Sequence, residues 1–97
     1  MTKFKLTEED IKGVIKSVTY TVLPSGKTTI CELLLRNGYA VIGVSAVIDV
    51  RNYIKEKGEE LAYKDALRKV WELEGYVKQQ ELYEDYYSSD DAQTIGG

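Results

Sequence analysis

The spacing of apolar positions along the chain changes character twice. Thr7 followed by Glu8, Glu9 and Asp10 reads as a helix N-cap with acids in the first turn, where they complement the helix dipole. Ile11, Val14 and Ile15 then recur at i, i+3, i+4, which predicts a short helix over roughly 7–16. Beyond it the period drops to two. Val18, Tyr20 and Val22 alternate with Thr19, Thr21 and Leu23, predicting a first strand with one face buried more deeply than the other. Pro24-Ser25-Gly26-Lys27 supplies a turn, because Pro fixes φ and Gly tolerates positive φ. A second strand is expected over about 28–36. Asn37-Gly38 predicts a two-residue type I′ hairpin, which needs positive φ at both central positions, and a third strand returns over about 39–46.

From Asp49 or Asn52 the period becomes helical again. Ile54, Gly58, Ala62, Ala66 and Val70 share one i+4 line, widened by Leu61, Leu67 and Leu73, so this face is expected on the sheet. The small residues in the line let the helix backbone approach closely. Gly75 is a plausible stop, although YVKQQELYEDYY can extend helically beyond it. SSDDAQTIGG lacks periodicity and reads as disordered. The fold class that follows is α+β: a three-stranded antiparallel meander packed by a long C-terminal helix, with a short N-terminal helix. Residues 1–78 form a single domain, and 79–97 form an acidic, tyrosine-rich, partly disordered extension. One sheet face is left open, so a partner subunit is expected to cover part of it and the protein is expected to be oligomeric.

Composition narrows the chemistry. With 97 residues there is room for one core, and a chain this small buries a modest fraction of its surface. Cys31 is the only cysteine and there is no His, which excludes an intrachain disulfide, Cys-based zinc cages and Ser-His-Asp or Cys-His catalysis within one chain. No apolar run has signal-peptide or membrane-span length, so a reducing, cytosolic setting without membrane contact is expected. The formal charge of −3 hides an asymmetry: residues 1–78 carry 13 bases against 11 acids, and Glu81, Glu84, Asp85, Asp90 and Asp91 follow with no base. That mild positive balance suits a small anionic ligand and falls well short of a DNA binder's basic footprint.

Several constellations have bland readings. Cys31, mid-strand beside Ile30 and Leu33, reads as a small buried hydrophobe. Glu56 with Glu60, and Asp65 with Glu72, read as a solvated face laced by lysines rather than an acid/base pair. Pro-Ser-Gly-Lys lacks the upstream glycine of a phosphate loop. Trp71 lies one step off the apolar stripe and is expected in the core. Basic and aromatic residues cluster more suggestively: Arg36 and Tyr39 flank Asn37-Gly38, Arg51, Asn52 and Tyr53 mark the strand-to-helix change, and Lys64 and Arg68 share a helical face. Flat rings stack on a base, and Arg offers forked donors to phosphate; a plain surface role is the alternative for each. Tyr76, Tyr83, Tyr86 and Tyr87 suit either a docking helix face or a solvated tail.

The run TICELLLRNGYAVIGVSAVIDVRNY, followed by ELAYKDALRKVWELEGY, resembles a family of small phage proteins that includes the Thoeris anti-defence sponges. The likeness covers about residues 14–77 and rests on the order of Thr29-Ile30-Cys31, Asn37-Gly38-Tyr39, Gly43, Ser45-Ala46, Asp49, Asn52, Ala66 to Trp71 and Leu73 to Tyr76. It implies a phage protein that sequesters a cyclic ADP-ribose isomer in the host cytoplasm without degrading it, so that the Thoeris effector stays silent. It also implies symmetric homo-oligomers, dimers assembled into hexamers with pockets where subunits meet, and in some members a separate pocket for cyclic oligonucleotides. No catalytic residue, metal or cofactor is implied. The matching positions for a pocket are Asn52 and Arg68, with Tyr39, Arg36, Tyr53 and Lys64 as additions. Asp65 stands where relatives are expected to carry Asn. The rival readings are an enzyme that cleaves the signal and an interaction module that blocks a host factor through the tyrosine-rich end.

Overall fold

A computed structural model describes residues 5–87. The elements in order are α1 (Glu8–Gly13), β1 (Ile15–Val22), β2 (Thr28–Leu35), β3 (Ala40–Ala46), a 3-10 turn (Val50–Asn52) and α2 (Lys55–Tyr87). The strands form one antiparallel sheet in the order β1-β2-β3, and α2 crosses β2 and β3. This is the expected α+β meander under a long helix. The stretch SSDDAQTIGG, expected to be disordered, lies outside the described residues.

Local chemistry explains the boundaries. Thr7 caps α1 through a capping box in which its hydroxyl accepts from Asp10 N and Asp10 accepts from Thr7 N. The helix ends at Gly13, earlier than its apolar spacing suggested, because Ile15 is already paired with Leu35. A bulge follows between Ile15 and Ser17, and it re-aligns the strand before the regular ladder begins. The Asn37-Gly38 turn also differs from expectation. Gly38 has φ 93° and no described non-glycine residue has positive φ, while Gly38 N donates to Leu35 O at 2.9 Å. The link is therefore a three-residue turn with glycine in the left-handed position, and Asn37 instead caps Tyr39 N with its side chain at 3.0 Å.

The core is thin and sits between α2 and two strands. Thr29, Cys31, Leu33 and Leu35 of β2 and Val41 of β3 are buried against Gly58, Ala62, Ala66 and Val70, the i+4 line read from the sequence. Gly43 lets the helix touch β3, since a Cβ there would sit 2.7 Å from Ala66 Cβ and closer still to the backbone of Ala62 and Ala66. Ile54 precedes the helix and is exposed, as are Leu61 and Leu73. Trp71 is 37% exposed on the outer side of α2, which corrects its placement in the core: one position off the stripe is about 100° of helix rotation. Helix α2 runs through Gly75 to Tyr87, the extension that YVKQQELYEDYY left open. One further expectation changes: β1 is exposed along nearly its whole length on both faces, because α2 packs on β2 and β3. The sheet face away from α2 is also open, with Ile42 and Val44 exposed.

Candidate functional site

The six candidate residues fall in three places. Asn52 and Tyr53 lie at the sheet end that carries the β1–β2 turn, around a cavity of only about 50 Å³. There the Tyr53 hydroxyl meets Thr29 Oγ1 at 3.2 Å and so ties the start of α2 to the core. Arg36 lies at the opposite end and donates from Nε to Gly13 O at 2.7 Å, closing the C-terminus of α1. Lys64 is exposed on the back of α2 and pairs with Glu60 at 3.3 Å. Asn52, Tyr53, Arg36 and Lys64 do not converge within one chain.

Tyr39 lies along the seam where α2 meets the outer edge of β3, and Arg68 is joined to that seam through Asp65 and Glu72. A concavity of about 290 Å³ opens there, bounded by Tyr39, Ile42, Lys69, Glu72 and Leu73, close to the lower size of small-molecule pockets. The Tyr39 ring is 56% exposed, which leaves its face free to stack. Arg68 donates to Glu72 at 3.0 Å and to Asp65 at 3.1 Å, so Glu72 connects the guanidinium to the concavity.

Asp65 and Lys69 give the seam its structure. The outward backbone groups of β3 meet the helix: Val44 N donates to Asp65 Oδ2 at 2.9 Å and Lys69 Nζ donates to Ile42 O at 2.7 Å. The two side chains are four residues apart, one helical turn, which matches the two-residue repeat of the strand edge. The Val44 N–H, with the Arg68 guanidinium beside it, holds the Asp65 carboxyl below its ordinary range. Arg68 is pushed up by its hydrogen bond to Asp65 and by the charge of Glu72. An Asn at position 65 can accept from Val44 or face Arg68 with one oxygen only, so Asp65 is what lets this chain do both. Sequence reasoning passed over Lys69 and treated Asp65 and Glu72 as solvated. Their helical spacing was visible, but nothing in it marked a strand edge as their partner.

Chemically the seam offers a flat ring, an apolar floor and spare donors. Lys69 uses one of three and Arg68 two of five. It is electrically balanced, with Arg68 and Lys69 against Asp65 and Glu72. An anion gripped here therefore needs positive charge from outside the seam. Elsewhere, burial raises the Cys31 thiol, consistent with a packing role, and among the described residues no cluster of His, Cys, Asp or Glu could hold a metal ion. No helix of the described residues is long and apolar enough to cross a membrane.

Residues 6–82 match the model of a phage protein family described by N4 Gp49 and phage Sf6 gene 66. No curated protein and no solved structure matches the chain.

Proposed function

The chain belongs to the phage protein (N4 Gp49/phage Sf6 gene 66) family, and from that premise we propose that it is an anti-defence protein. In this reading it binds a cyclic ADP-ribose-type immune signal in the host cytoplasm and holds it without degrading it, so that the Thoeris effector is not activated. The observation that carries the reading is the concavity at the α2–β3 seam that brings the exposed Tyr39 and Lys69 together, with Arg68 joined to it through Glu72. A stacking surface beside forked and point-charge donors is what a compact nucleotide with a pyrophosphate requires. Because the seam carries no surplus charge of its own, the site is shared. A second copy adds cations such as Arg36, Lys64 or those near Asn52 and Tyr53, in a homo-oligomer built from dimers.

Calorimetry with glycocyclic ADP-ribose tests this directly. The parent chain is expected to bind and to release intact ligand after heat denaturation. Tyr39→Ala and Arg68→Ala are each expected to weaken binding at least tenfold. Absence of binding by the parent ends the reading, and recovery of a cleaved product makes the protein an enzyme instead.

A second reading rests on the far half of α2. From Glu74 to Tyr87 the helix carries exposed Tyr76, Tyr83, Tyr86 and Tyr87, with the last three rings packed together. In that reading the tyrosine-rich arm docks on a host defence protein. Removing residues 79–97 then abolishes protection, whereas a sponge retains it.

A further inference from the structure

The two outer strands of the sheet are finished differently, and the unfinished one carries an inference. On β3 the outward-pointing backbone groups of Ile42 and Val44 are taken by Lys69 and Asp65. On β1 the ladder parity is set by Leu23 N donating to Thr28 O at 2.9 Å, with Val22 opposite Thr29 and Tyr20 opposite Cys31. Antiparallel pairing alternates, so Thr19 and Thr21 turn their backbone groups toward β2. Val18, Tyr20 and Val22 turn theirs outward. Helix α2 packs on β2 and β3 and comes to this edge only where Glu59 and Tyr63 near Tyr20, and Val18, Tyr20 and Val22 are 41%, 37% and 44% exposed. From Ser17 to Val22 the strand has no Pro, no charge and no bulge. Those are the devices by which proteins block edge pairing.

We propose that β1 pairs antiparallel with β1 of a second copy about a twofold axis at Tyr20, joining two three-stranded sheets into one of six strands. The occupant follows from the strand's self-complementarity. A twofold at Tyr20 sets each outward backbone position opposite another outward position. Tyr20 then faces its own copy, Val18 faces Val22, and on the other sheet face Thr19 faces Thr21, all favourable cross-strand types. Charge agrees. The segment Ser17 to Val22 is neutral, so self-pairing sets no like charges opposite one another. Along the strand the nearest charge is Lys16, which falls at opposite ends of the paired ribbon, about 26 Å from its copy at the ordinary strand rise and beyond the Debye length of about 8 Å. On the helix side of the sheet each copy also brings Glu59, whose charge is felt at Tyr20. A second copy matches the strand at every position. The pairing stands on the sheet geometry and not on the sponge reading.

Sedimentation equilibrium of the full chain tests the pairing. The wild type is expected at twice the 11.0 kDa chain mass or an even multiple of it. Tyr20→Pro removes an outward N–H and is expected to halve the wild-type mass with an unchanged circular dichroism spectrum. Tyr20→Lys keeps the N–H but sets two ammonium groups across the axis, and it is expected to halve the mass as well should the proline variant fail to fold. Ile42→Lys with Val44→Lys, on the open sheet face, is expected to keep the wild-type mass. A monomeric wild type overturns the pairing, as do folded Tyr20 variants of undiminished mass or dissociation by the sheet-face variant alone. Ligand calorimetry on the same proteins reads the sponge reading separately.

Discussion

The edge of β3 and the edge of β1 belong to one sheet and have similar β-branched sequences, yet only β3 is sealed within the chain. The difference comes from the helix, not from the strands. Gly43 lets α2 settle on β3 until its backbone touches, and at that distance Asp65 and Lys69 reach the outward groups of Val44 and Ile42. Helix α2 packs on β2 and β3 rather than on β1, so Val18, Tyr20 and Val22 keep much of their surface and their outward backbone groups available. The same displacement that creates the ligand-sized seam on one side leaves a bare strand on the other. A small chain can thus build a site and an assembly surface from one asymmetric placement of a helix.

The comparison breaks most severely at Gly43. Gly43→Val forces the helix off β3 and is expected to cost about 3 kcal/mol or more in urea unfolding, the upper end of overpacking, since backbone rather than a side chain tip must move. A sharper test sets neighbouring positions of β1 against each other in dilute solution. Thr19→Pro removes a donor from the ladder to β2 and is expected to destabilise by about 2 kcal/mol. Tyr20→Pro removes an outward donor and is expected to cost less than half as much. The smallest effect is at Asp65. Asp65→Asn, read by thermal unfolding, is expected to cost about 1 kcal/mol at neutral pH. The folded carboxyl is held below its ordinary range by Val44 N and Arg68. Its contribution is therefore present above about pH 4 and fades as pH falls through the lower folded value. The wild type and the variant should converge in acid.

Much of the fold was legible. The i+4 line of Gly58, Ala62, Ala66 and Val70 marked the buried face of α2, and alternation with turn residues marked three strands, because both are local periodicities. The end of α1 was misjudged for a tertiary reason: Arg36 N donates to Val14 O, and that long-range tie fixes where β1 begins. The exposure of Trp71 and of β1 was hidden for a related reason. Period shows which residues share a face, but not how far a helix spreads over a sheet. Of the candidate residues, Tyr39 lines the seam and Arg68 is tied to Asp65 and Glu72, while Arg36 closes α1 and Tyr53 braces Thr29. Lys69 could be recognised only once its carbonyl partner on β3 was known.

Amide hydrogen exchange, measured at low and high protein concentration, compares the two edges residue by residue. Val44 is expected to be protected equally at both concentrations, since its partner Asp65 is in the same chain. Val18, Tyr20 and Val22 are expected to exchange freely in dilute protein and to become protected as concentration rises. Free exchange of those three amides at every concentration, or a Val44 amide as labile as theirs, contradicts the difference between the edges on which both the site and the pairing rest.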